Sequence, residues 1–128
     1  MSGGVQGVVT FSLANPAGRR VLSRRMSDAR IREATIASIQ EAVARHFGLP
    51  VDKLNQESTR RETVIPRQIA MYVVKQMTDA SLPEIGRHFG GRHHTTVMHS
   101  IAKVHNSRNT DAALDHVVRK LLTNLGHR

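Results

Sequence analysis

None of the 128 residues is a cysteine, which excludes disulfides and thiolate metal sites and fits a reducing compartment such as the cytosol. Tryptophan is absent and aromatic residues make up only 3% of the chain, too few for the stacking platform on which proteins hold single-stranded bases. No apolar run approaches the roughly 18 residues of a membrane span. A phosphate loop of the form G-x-x-x-x-G-K-S/T is missing, as are a nucleophile elbow and paired carboxylates in a glycine-framed site. Enzyme chemistry, a cofactor and a small-molecule substrate are therefore not expected. Eight histidines are present, but His88, His93, His94 and His99 are not spaced i, i+4 on one helix face, and no H-E-x-x-H motif occurs; no metal site is expected.

Acidic residues are also scarce. Ten Asp and Glu stand against nineteen Lys and Arg, giving a formal net charge of +9 and a pI near 11.4. Such an imbalance is the electrostatic footprint of a polyanion binder. With so few aromatics, duplex DNA is favoured over single-stranded RNA.

The richest stretch runs from Ser81 to Val104. Ser81 followed by Glu84 forms a capping box, in which the serine accepts from an early backbone N–H and the glutamate reaches back to the cap. Leu82, Ile85 and Phe89 recur at helical spacing. Gly90 and Gly91 end that short helix, because glycine enters left-handed geometry without a Cβ clash. A second helix begins near His94, with Val97, Ile101 and Val104 as its apolar stripe. Thr95, Thr96, His99 and Lys103 project to the other side, whereas His94 projects nearer the apolar one. Two short helices joined by a glycine turn make a helix-turn-helix candidate.

The segments Pro66-Arg-Gln-Ile-Ala-Met-Tyr72, Leu82-Pro-Glu-Ile-Gly86 and Gly91-Arg-His-His-Thr-Thr-Val97 resemble the C-terminal DNA-binding domain of the bacterial chromosomal replication initiators, the DnaA family. The resemblance covers about Ile36 to Leu125. It implies a stand-alone or excised helix-turn-helix domain without the family's ATPase module, binding A/T-rich initiator-type boxes in duplex DNA and modulating replication initiation or transcription. A bacterial, cytoplasmic, nucleoid-associated location follows from it, and the full-length initiator becomes a possible partner. In such a motif the second helix enters the major groove N-terminus first. The resemblance assigns base contacts to His93, His94, Thr95 and Thr96, next to Arg92. Arg67, Gln68 and Lys75 match positions that approach the DNA backbone, Leu82 and Pro83 match positions whose helix N-terminus can hold a phosphate, and His99 and Lys103 match further exposed positions.

Two departures stand out. The family usually has Asp where His93 stands, so base preference at that position is expected to relax or shift. It also tends to carry an arginine at the position of Thr59, inserted into an A/T-rich minor groove; Arg60 and Arg61, beside it, are the candidates to restore that contact. These departures keep an alternative open, an interaction protein that docks on the initiator or other partners with vestigial DNA contact.

The expected architecture is all-α, a compact bundle of five to six helices containing the helix-turn-helix. Residues 1–28, with Arg19, Arg20, Arg24 and Arg25 and no acidic group before Asp28, read as a disordered basic arm, and residues 29–128 as the domain. Within that arm Val5 to Phe11 is a short apolar run without a strand partner. A first helix is expected from Ala29 to Phe47, with Ile36, Ile39, Val43 and Phe47 inward and Gly48 ending it. A helical turn from Pro50 to Leu54 and a polar loop from Asn55 to Thr63 follow. Pro66 is expected to open the next helix at its first position, with Ile69, Val73 and Met77 buried. A last helix, Asp111 to Leu125, is expected to turn Leu114, Val117, Leu121 and Leu125 inward.

Overall fold

The structure, a computed structural model, describes residues 29–57 and 60–126. The expected arm, the apolar run within it and Thr59 lie outside the described residues. Six helices follow one another among the described residues: α1 Ala29–Phe47, α2 Asp52–Asn55, α3 Arg61–Met77, α4 Leu82–His88, α5 His94–Ser107 and α6 Ala112–Gly126. No strand occurs among the described residues, so the fold is all-α as expected.

Helix α3 is the axis of the molecule and touches each of the other five. It is consequently buried nearly all round rather than along one stripe: Ala70, Met71, Tyr72 and Val74 join Ile69 and Val73 in the core. Met77 is only half-buried. Pro66 does not open this helix. The helix begins at Arg61 and Pro66 lies inside it, because the preceding turn is anchored independently: Thr63 and Val64 donate their N–H groups to the Arg60 carbonyl at 3.0 and 2.8 Å. The proline then removes a single backbone donor in the second turn. The expected loop is correspondingly shorter, since Asn55 closes α2 and Arg61 to Thr63 are helical.

Helix α1 buries Ile36, Ile39, Val43 and Ala44 against this axis. It ends in a Schellman turn, with Leu49 donating to Ala44 at 2.8 Å, Gly48 donating to Arg45 at 3.2 Å, and Gly48 at φ 68°, the left-handed geometry that glycine adopts freely. Helix α6 is capped by Asp111, whose Oδ1 accepts from the Leu114 N–H at 3.0 Å. Its deepest residues are Val118 and Leu121; Leu114, Val117 and Leu125, also expected inward, are half-buried against the core.

Candidate nucleic-acid interface

The angle between α4 and α5 depends on three glycines. Gly90 and Gly91 have φ of 82° and 75°, as expected of the turn. Gly86 is required for a different reason: a Cβ there would stand 2.0 Å from the Arg92 carbonyl oxygen. The helices can thus approach until the Gly86 carbonyl accepts from the backbone N–H groups of Phe89, Gly91 and Arg92 at 3.2, 3.0 and 2.9 Å. Phe89, fully buried, pins the turn to the core. From outside the motif, Gln40 of α1 donates to the His88 carbonyl at 2.7 Å.

The start of α4 satisfies only half of its expected capping box. Ser81 Oγ accepts from the Glu84 N–H at 3.2 Å, but Glu84 does not return to the cap. Its carboxylate takes both oxygens to Arg32 Nε, at 2.9 and 2.8 Å, since a charge-assisted bond is stronger than one to a neutral amide. This pair fastens the motif to α1.

Helix α5 packs on α3 and α4, burying Val97, Ser100 and Val104, with Ile101 half-buried. Its other face holds Thr95, Thr96, His99 and Lys103, all exposed; His94 is exposed at its first position and His93 just ahead of it. His94, which projection places nearer the apolar side, is nonetheless exposed, as the first residue of the helix. Met98 is 45% exposed on the same face, three residues after Thr95 and four after His94. A helical projection could have shown it, but an apolar residue on that face is easily assigned to the core instead. Gly86 was missed in the same way, its one sequence signal being an isolated glycine inside a helical pattern.

The cations fall into two groups. Lys75, Lys103, Arg60 and Arg61 are exposed; Lys75 Nζ donates to the Ala80 carbonyl at 3.3 Å beyond the end of α3. Arg67 is instead buried, at 7% exposure, and Arg92 is half-buried. Both guanidinium groups converge on one acceptor, the Gln56 carbonyl, at 3.1 Å from Arg67 Nη1 and 2.9 Å from Arg92 Nη2; Arg92 Nη1 also donates to the Phe89 carbonyl. Burial, and then the facing Arg92 charge, lower the pKa of Arg67. Burial likewise lowers that of Arg92, with Glu57 opposing. Both stay charged, as arginine does in proteins. Gln68 is half-buried, and at the start of α4 Leu82 is half-buried while Pro83 is exposed. Among the described residues no cluster of His, Asp and Glu could hold a metal ion, and no helix is long and apolar enough to cross a membrane.

A glycine-built turn, a first helix tied to the core and a second helix with a polar, cationic outer face define a DNA-binding domain of the helix-turn-helix class. Within that class, residues 36–104 match the family described as the bacterial dnaA protein helix-turn-helix, and the chain belongs to it. The chain is 36% identical over 117 residues to the chromosomal replication initiator protein DnaA of Symbiobacterium thermophilum, covering 91% of this chain and 25% of that relative. It thus spans about a quarter of the length of the curated relative it matches. A crystal structure of a DNA replication initiation factor superposes with a TM-score of 0.67 at 30% identity, covering 73% of this chain and 29% of that one.

Proposed function

We propose that the chain binds duplex DNA in a sequence-specific manner at A/T-rich boxes of the replication-initiator type, and through that binding modulates replication initiation or transcription. The observation that supports this most is the exposed surface of α5, with His94, Thr95 and Thr96 in its first turn, the end that a helix-turn-helix presents to the major groove, and His99 and Lys103 exposed further along. Thr95 and Thr96 offer methyl groups to thymine and hydroxyls to base edges or phosphates. Lys75 and Lys103, with Gln68 and the N–H groups after Leu82 and Pro83, contact the phosphate backbone and set register without reading sequence. Arg60 and Arg61 reach for the adjacent minor groove. Arg67 and Arg92 brace the turn at Gln56 and add positive potential beneath it.

Titration of a box duplex and a scrambled duplex over a range of salt tests this reading. With four to six phosphates neutralised, log K should fall with log salt at a slope of about −4 to −5, and the box should bind more tightly throughout. A flat salt response, or equal affinity for the two duplexes, would sink the proposal.

A further inference from the structure

We infer that His93 serves DNA recognition as a positioning residue: its imidazole caps α5 and so sets the turn that carries His94, Thr95 and Thr96, instead of reading a base itself. The consequence for recognition rests on the duplex-DNA reading above, but the cap belongs to the free protein.

His93 occupies the N-cap position with extended backbone angles, φ −65° and ψ 148°. Its Nδ1 accepts from the Thr95 backbone N–H at 3.2 Å and lies 2.8 Å from the Thr95 hydroxyl oxygen. A backbone N–H can only donate, so Nδ1 must present its lone pair and the ring proton must sit on Nε2. The imidazole here takes the part usually played by the short oxygen side chain of Ser, Thr, Asp or Asn. His94 stacks on it with ring centroids 4.3 Å apart and planes tilted by 33°. One end of the His93 ring is thus committed to the helix and one face to its neighbour.

This cap differs from a serine or aspartate cap in one chemical respect. Protonation of Nδ1 turns the acceptor into a donor. The Thr95 hydroxyl can rotate and accept instead, but the Thr95 N–H cannot, and the new charge lies at the positive end of the helix dipole. The groups around the ring reinforce this. His94 can gain a like charge on the same helix. Arg92 precedes it, with its guanidinium held at the Phe89 and Gln56 carbonyls, and Glu57 bears on Arg92. No carboxylate bonds to either imidazole among the described residues. Protonation of the His93 ring therefore uncaps the recognition helix.

The test combines amide hydrogen exchange at Thr95 in the free protein with selection of bound sequences from a random duplex pool, each at pH 8 and pH 5, for the wild type, His93→Asp and His93→Ala. Thr95 protection, corrected for intrinsic exchange, should fall by about 2- to 30-fold on acidification in the wild type, the range set by loss of a cap. It should persist at both pH values in His93→Asp, whose carboxylate stays an acceptor, and be low at both in His93→Ala. The box-to-scrambled affinity ratio should track that profile. His94 and His99 are common to the wild type and His93→Asp, so the difference between the two isolates His93. His93→Asp should select the same preferred sequence as the wild type at pH 8. Thr95 protection that ignores pH in the wild type, or survives in His93→Ala, overturns the cap. A changed base at one pair in His93→Asp makes His93 a reader and overturns the positioning role. If the wild type binds no duplex, the role in recognition falls together with the proposed function, while Thr95 exchange still decides whether the imidazole caps the helix.

Discussion

The backbone N–H of Arg92 donates to the Gly86 carbonyl at 2.9 Å, and the approach this demands leaves a space at Gly86 that no side chain can enter. A residue in the middle of α4 thereby controls where α5 starts. The orientation of the exposed face of α5 thus depends on a backbone contact between two residues six apart in the chain, both ahead of the helix.

Gly86→Ala should consequently be far more damaging than Gly91→Ala, as should Gly90→Ala, whose Cβ would stand 2.2 Å from the Asn55 carbonyl oxygen. At Gly86 the Cβ would meet backbone atoms of Arg92 at 2.0 and 3.1 Å, and backbone cannot rotate aside, so a cost of more than about 2 kcal/mol is expected. Gly91→Ala meets nothing within 4 Å and pays only for its left-handed φ, about 1 to 2 kcal/mol. Urea denaturation of the two variants gives the order; a Gly86→Ala protein as stable as Gly91→Ala would refute the packing argument.

Arg32 and Glu84 join α1 to α4 through two short contacts to one carboxylate. Glu84 is only 8% exposed, so removal of Arg32 strands a shielded charge. Arg32→Ala should lower Tm, Arg32→Glu should lower it further, and adding Glu84→Arg to Arg32→Glu should recover part of the loss. Independent effects of the two single changes in that cycle would show that the pair is not coupled.

Asp115 connects the α5–α6 turn to α6. It accepts from Arg108 Nε at 2.7 Å and Arg119 Nε at 3.0 Å, and Arg108 in turn donates to the Tyr72 hydroxyl at 2.9 Å. The hydrogen bond from Arg108 first, with burial opposing and the charges of Arg108 and Arg119 assisting, holds the Asp115 carboxyl below the usual carboxylate range. A depressed folded-state pKa contributes stability above the unfolded value of about 3.9, and that contribution disappears as pH falls through the folded value. Asp115→Asn should be less stable than the wild type at neutral pH, and the gap should close in acid below about pH 4. A gap that stays constant from pH 7 to pH 3 would mean the charge of Asp115 contributes nothing.

Positioning and reading should separate cleanly on the DNA-facing residues. Lys75→Ala and Lys103→Ala should weaken binding to box and scrambled duplexes alike and make the salt slope shallower by about one unit each. Thr96→Val should compress the difference between the duplexes by about 1 to 3 kcal/mol; Thr95→Val is a poorer probe, since the Thr95 hydroxyl also meets His93 Nδ1. Arg67→Ala is a poorer probe, since the side chain is buried and bonded to Gln56, so its loss would also loosen the turn. Should the lysine variants alter sequence preference and Thr96→Val only affinity, the docking orientation proposed for α5 is wrong.

Local signals and long-range contacts divide the legibility of this chain. The extent of α1, the ends at Gly48, Gly90 and Gly91, and the Ser81 cap each depend on residues within a turn of one another, so the sequence by itself determined them; the apolar period of α1 likewise predicted Ile36, Ile39 and Val43 inward, because a helix repeats every 3.6 residues whatever surrounds it. The tertiary structure alone decided the matters in which distant segments compete for the same atoms. Glu84 leaves its cap for Arg32, fifty-two residues earlier. Arg67 and Arg92 turn to one carbonyl at Gln56. Helix α3 extends ahead of Pro66 and is buried on nearly every side, since the other five helices all pack on it. Gly86 is needed only because Arg92 returns to it. Periodicity states which residues share a face, but the charge-assisted bonds and close backbone approaches that set the rotation of each helix exist only once the chain has folded.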